Sequence, residues 1–171
     1  MSFGNITYWP ILIAAVVSFA FGAVWYGSLG KQWMAAREMS AADMEKARAE
    51  MGPIPVPYII AFVALPIMAW MFAGVVLHLA RGGMPVTIRA GMISGFFLWF
   101  GFVITTLATN HAFQGAKRSL TLIDGGHWLG VLLIQGAIWA GGACNNAAPR
   151  QRPSGTGIGT PFHRATFLVA Q

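Results

Sequence analysis

Long apolar stretches separated by short polar connections organise this sequence. Trp9–Leu29, Val56–Ala80, Ala90–Ala112 and Leu120–Ala143 carry almost no charge, and Asp124 is the only acid inside any of them. Each holds 21 to 25 residues. A helix rises about 1.5 Å per residue, so about 20 apolar residues cross a hydrocarbon layer about 30 Å thick. The pattern predicts an all-α fold: a four-helix transmembrane bundle formed by residues 1–143, with spans at 9–29, 56–80, 90–112 and 120–143.

Lys31–Pro55 is the one sizeable polar interruption. Ser40 followed by Asp43 predicts a capping box that opens a short polar helix between spans 1 and 2, running to about Met51. Its alternating charges (Glu45, Lys46, Arg48, Glu50) suit a solvated or interface-lying face, or alternatively a docking helix for a partner. The run from Gly52 to Pro57 then ends it. Residues 144–171 are rich in Pro, Gly, Arg and Thr and show no periodicity, which predicts a disordered tail. The GTGIGT within it follows no strand and precedes no helix, so it is not a phosphate loop. Its abrupt onset suggests an atypical or out-of-frame terminus.

Details inside the spans fit lipid surroundings. Tyr8, Trp9, Trp25 and Tyr26 bracket the first span, where aromatic rings favour the headgroup level. Pro66 predicts a kink in the second, and His78 in its last turn is an interfacial histidine. Small residues form smooth faces: Ala14, Ser18 and Gly22 on the first helix, Gly91 and Gly95 on the third, Gly126 and Gly130 on the fourth. Such faces allow close helix–helix approach, within a chain or between copies.

Composition strengthens this picture. Hydrophobic residues make up 56% and charged residues 9%, against about 25% charged in a soluble domain. Too few charges remain to wet the surface of a soluble helical core. The net charge is +6, but the basic residues are scattered and no basic stripe alternates with aromatics. That excludes nucleic acid as the expected partner and leaves the lipid bilayer. A single cysteine, Cys144, rules out an internal disulfide and a thiolate metal cluster. The first apolar run lacks a basic flank and exceeds a signal-peptide core in length.

Four spans put both termini on one side. With the tail discounted, that side holds Arg81 and Arg89, while the other holds Lys31, Arg37, Lys46, Arg48, Lys117 and Arg118. Basic loops stay cytoplasmic, so the expected topology has non-cytoplasmic termini.

The chemistry-bearing residues gather at one end. Tyr26, Ser28 and Lys31 close the first span, Asn110 and His111 close the third, and Asp124 and His127 open the fourth. Asp124, His127, Val131 and Gln135 share a face of the fourth helix, and that stripe should turn inward. One reading has these groups satisfy one another, through an Asn110–Asp124 or Lys31–Asp124 pair at the interface. Another makes them a small polar site for a proton, an ion or a headgroup. No metal-ligand signature is present, and no cofactor or catalytic motif is expected.

At these residues the chain resembles a family. Gly22-Ala23-Val24-Trp25-Tyr26 with Gly30-Lys31-Gln32-Trp33-Met34 is similar to the first-helix signature of the domain-of-unknown-function 1761 family of small bacterial membrane proteins. Trp99-Phe100-Gly101-Phe102 with Thr105-Thr106 and Thr109-Asn110 resembles its third helix, and Leu122-Ile123-Asp124-Gly125-Gly126 the start of its fourth. An aromatic residue often follows the glycine matching Gly126, and His127 departs from that pattern. The similarity covers roughly residues 5–142. It implies four spans in a bacterial cytoplasmic (inner) membrane, and no activity.

The functional expectation is a non-enzymatic integral membrane protein, an accessory subunit or a handler of small solutes or ions, acting alone, as a homo-oligomer or within a larger membrane complex. Two alternatives stand beside it: an intramembrane enzyme acting on a lipid or quinone through Asp124 and His127, and an oligomeric transporter.

Overall fold

The computed structural model describes residues 8–52 and 56–147, with side chains as far as residue 143. The described residues are helical throughout their regular structure: α1 (Tyr8–Ala36), α2 (Ala41–Glu50), α3 (Val56–Arg81), α4 (Ile88–Leu98), α5 (Ile104–Phe113) and α6 (Arg118–Ala147). A π-turn, Trp99–Val103, joins α4 and α5 into one continuous rod. Three of the rods (α1, α3 and Ile88–Phe113) are long and apolar enough to cross a membrane. α6 has 30 residues, but its glycines and polar stripe make it less apolar than the other three.

Local chemistry explains where helices start and stop. Ser40 caps α2 in the capping box expected of it, accepting from the backbone N–H of Asp43 while Asp43 accepts from that of Ser40. Thr87 caps α4 in the same way through the N–H of Ala90. α1, α3 and α5 each end on a residue with positive φ: Glu38, Gly83 and Gly115. In each case the next residue's N–H reaches back to a carbonyl five positions earlier, in Met34, Leu79 and His111 respectively. Glu38 adopts this backbone without glycine's freedom, and its carboxylate lies 3.1 Å from Lys117 Nζ in the α5–α6 connection.

Two differences from the sequence reading follow from length. α1 continues to Ala36, carrying Lys31 and Trp33 beyond the expected span. α6 continues to Ala147, into residues expected to belong to the tail. The remaining tail, with the expectations attached to it, lies outside the described residues. α3 runs through Pro66 as a single helix.

α6 is the centre of the bundle. α1, α3 and α4 all pack on it, α1 also packs on α3, and among the described residues the α1 backbone does not closely approach α4 or α5. Antiparallel register is visible along α1 and α6, where Pro10 meets Gly142, Phe21 meets Gly130 and Trp25 meets Gly126. The first-named contact puts the start of α1 beside the end of α6. The main core joins Ile11 and Ala14 of α1, Phe72, Ala73 and Val76 of α3, and Leu132 and Trp139 of α6. Outward faces carry Trp9, Ile60, Phe62, Phe97, Phe100 and Phe102, all well exposed. An apolar exterior around a polar-striped central helix is the arrangement that lipid surroundings call for.

The glycines divide into two kinds of contact. Gly91 and Gly136 bring the α4 and α6 backbones together, and a Cβ on either would run into the other's carbonyl. A Cβ on Gly95 would come within 2.7 Å of the Leu132 carbonyl oxygen. Gly126 and Gly130 instead receive the rings of Trp25 and Phe21. Both faces are therefore occupied within the chain, and neither is free for a second copy.

Candidate functional site

The site is built on the first two turns of α6. Asp124 lies there between α1 and α5, and both of its oxygens face neighbours. Tyr26 of α1 donates its hydroxyl to Oδ1 at 2.9 Å. His111, in the last turn of α5, holds Nε2 at 3.9 Å from Oδ2. That separation is too long for a hydrogen bond. The other ring nitrogen of His111, Nδ1, lies 3.0 Å from Thr121 Oγ1, one turn before Asp124 on the same helix face. The carboxylate and imidazole side chains are only 18% and 12% exposed, so the pair is shielded from outside as it stands.

Two tryptophans clamp the same turns. Trp25 Nε1 donates to the carbonyl of Ile123 at 3.1 Å, and Trp99 Nε1 to that of Gly125 at 2.7 Å. Trp99 stands at the head of the π-turn, whose wider coil resets the helix phase between α4 and α5. Glycine permits these contacts: a Cβ on Gly126 would come within 2.9 Å of the Trp25 ring.

His127 occupies a different environment. Its ring stacks on Phe21 at 5.9 Å and lies 4.9 Å from the Tyr26 ring and 5.0 Å from that of Trp128. It is buried, and its Nδ1 has no hydrogen-bond partner among the described residues. A Cβ on Gly22 would come within 2.9 Å of its Nε2, so Gly22 makes room for this histidine. Among the described residues, no hydrogen bond joins His127 to Asp124.

Deeper in the bundle, Gln135 is fully enclosed. Its Nε2 donates to the Leu65 carbonyl at 3.3 Å, beside Pro66, and its Oε1 has no partner among the described residues. Ser18, on the opposing face of α1, is equally buried with its hydroxyl unpartnered. The inward stripe thus runs from Asp124 at one end to Gln135 near the middle, with Val131 sealing the space between them.

The expected Asn110–Asp124 and Lys31–Asp124 pairs are not formed, because Asn110 and Lys31 are exposed. Helix geometry explains both cases. Successive residues turn by about 100°, so directing His111 at α6 swings Asn110 outward. Lys31 stands more than a turn beyond Tyr26 and on another side of α1. Asn110 instead joins Thr105, Thr106 and Thr109 along a shallow open groove on the outer face of α5. Thr105 and Thr109 return their hydroxyls to the carbonyls of Gly101 and Thr105, at 2.9 Å each.

Thr121 and Trp99 belong to the site and were not singled out as members from sequence. Thr121 had a readable signal, since it precedes Asp124 by three residues and shares its face. Among the described residues, no group of three or more His, Cys, Asp or Glu side chains could hold a metal ion.

A family model described as "Protein of unknown function (DUF1761)" matches residues 9–140. No curated protein and no solved structure matches the chain.

Proposed function

The chain belongs to the DUF1761 family, and from that premise we propose a four-span, non-enzymatic protein of the bacterial cytoplasmic membrane that presents a small cation-accepting site at one membrane face. α6 is the fourth span. Its length suffices, and its polar groups are turned away from lipid by the three apolar helices around it. The face bearing Asp124 is cytoplasmic, because the basic residues outside the tail gather on that side.

The carrying observation is the arrangement of Asp124 itself. It is a mostly enclosed carboxylate held by one hydroxyl donor, with its second oxygen directed at a titratable ring 3.9 Å away. An acid so placed within a membrane bundle marks an ion or proton site by default. The cation it accepts is a proton or the ammonium group of a lipid headgroup, both of which satisfy a carboxylate oxygen.

Infrared difference spectroscopy of the full chain in lipid nanodiscs tests this. Wild type minus Asp124→Asn isolates the carboxylate band, which should respond to pH in neutral-lipid discs if the ligand is a proton. It should shift on adding phosphatidylethanolamine if the ligand is a headgroup. A band indifferent to both would overturn the proposal.

A further inference from the structure

The third rod is anchored at one end and lightly held at the other. α4 buries Gly91, Ser94 and Gly95 against α6, with backbones in close approach. Neither the π-turn nor α5 buries a residue. α5 packs on α6 and continues the π-turn, and among the described residues its backbone does not closely approach α1 or α3. At its far tip, His111 is the group facing Asp124. The seam between α1 and α5 is therefore bridged by side chains alone: Tyr26 from one side, His111 from the other, meeting on one carboxylate.

We propose that His111 and Asp124 form a pH-operated latch that fastens α5 to α6, with the π-turn Trp99–Val103 as its hinge. A protonated imidazole carries two N–H groups. One stays on Thr121 Oγ1, and the other closes the remaining distance to Asp124 Oδ2 as a charge-assisted bond. The neutral ring has one N–H and no charge, and α5 is then held by the Thr121 contact, its packing on α6 and the short connection carrying Lys117. The C-terminal end of α5 also favours a cation at His111 through the helix dipole. Acid tightens the arm against α6, and mild alkali loosens it to uncover the flank of Asp124.

The other charged or titratable groups near the pair are few. Tyr26 approaches from α1 and donates to the opposite oxygen, while Lys31 lies exposed at that helix's far end. On α6, His127 is enclosed by aromatic rings, and Arg118 is exposed at the start of the helix. In the connection, Lys117 is engaged with Glu38 and the Ala35 carbonyl. Of these, His111 is the ionisable ring that faces the second oxygen of Asp124 and also holds Thr121 on the same helix face. The latch rests on reading Asp124 as the centre of the site.

Double electron–electron resonance on the full chain in nanodiscs tests it. Spin labels go on the exposed positions Ala23 of α1 and Ala108 of α5, with Cys144→Ser. The label distances should be narrowly distributed at about pH 5 and longer and broader at about pH 8, across the range in which histidine titrates. His111→Gln should show the broad distribution at both values, and His111→Arg, with its fixed charge, the narrow one at both. His127→Phe should respond as wild type does. A wild-type distribution unchanged by pH, or a response that survives His111→Gln, overturns the latch. The infrared assay on Asp124 carries no label on α5, so a failed latch and a failed cation site give different results.

Discussion

The hydroxyl of Tyr26 donates to Asp124 at 2.9 Å, and this bond ties α1 to α6. The two residues are 98 positions apart in sequence. Removing the donor leaves a largely enclosed carboxylate oxygen without its partner. Tyr26→Phe should therefore cost about 1–3 kcal/mol, the usual penalty for an unsatisfied buried acceptor. Asp124→Asn keeps an acceptor in place and should cost less. Reversible unfolding in mixed micelles, followed by far-UV circular dichroism, measures both.

Gly91 and Gly136 form a close contact between helix backbones, with carbonyl oxygens in the space any added methyl would need. Backbone yields less readily than a flexible side chain. Gly91→Ala and Gly136→Ala should each destabilise by about 1–3 kcal/mol, the range seen for overpacking. Gly27 lies in α1 with no neighbouring atom within 4 Å of a built Cβ. Gly27→Ala should be neutral or stabilising by up to about 1 kcal/mol, because alanine loses less backbone freedom in a helix. The same unfolding assay, run on all three variants, separates close packing from helix propensity.

Trp99 and Trp25 both donate to carbonyls in the first turns of α6. Replacing either by phenylalanine keeps an aromatic ring and deletes the N–H. Each change should cost about 1 kcal/mol, the net value of one hydrogen bond. The Trp99 variant should show the larger effect, since its bond is 2.7 Å against 3.1 Å. A reversed order would mean that ring packing, rather than the N–H, sets the contribution.

α2 supplies a pH prediction. The Ser40 hydroxyl, and then its backbone N–H, hold the Asp43 carboxyl below the ordinary carboxylate range. A lowered folded-state value stabilises the helix above the unfolded value of about 3.9, and that stabilisation is lost as pH falls through the folded one. Amides of residues 41–50 should lose hydrogen-exchange protection on acidification below about pH 4, after correction for intrinsic rates. In Asp43→Asn the loss should be present at neutral pH and should not change on acidification.

Much of this architecture is legible in the pattern of apolar residues, because a helix that faces lipid must be apolar over its whole length. The rods containing Trp9–Leu29, Val56–Ala80 and Ala90–Ala112 follow from that rule, and Ser40 with Asp43 announces α2 through capping chemistry alone. The centrality of α6 is harder to see. Its polar stripe reads as a weaker span, yet it is the helix most enclosed by the others. The partners of Asp124 were hidden for a rotational reason. Whether Lys31 or Tyr26 meets the carboxylate depends on the phase of α1 about its axis. Gly22, Gly126 and Gly130 set that phase by admitting His127, Trp25 and Phe21, and no local pattern reports which ring fills which glycine. His111 and Asn110 differ by one position, and only the packed helix decides which of them turns inward.

The central place of α6 bears on how the protein is made. Synthesis proceeds from the N-terminus, so α1, α3 and the α4–α5 rod leave the ribosome before the helix they share. Until then α1 has only α3 for company, and α4 and α5 have few protein neighbours. The last helix brings Asp124, His127 and Gln135, the costliest groups to place in hydrocarbon, at a time when Tyr26, His111 and the Leu65 carbonyl are already waiting. Late arrival spares the most polar of the long helices a wait without neighbours, and it leaves the nascent chain as an open half-bundle until α6 has been made.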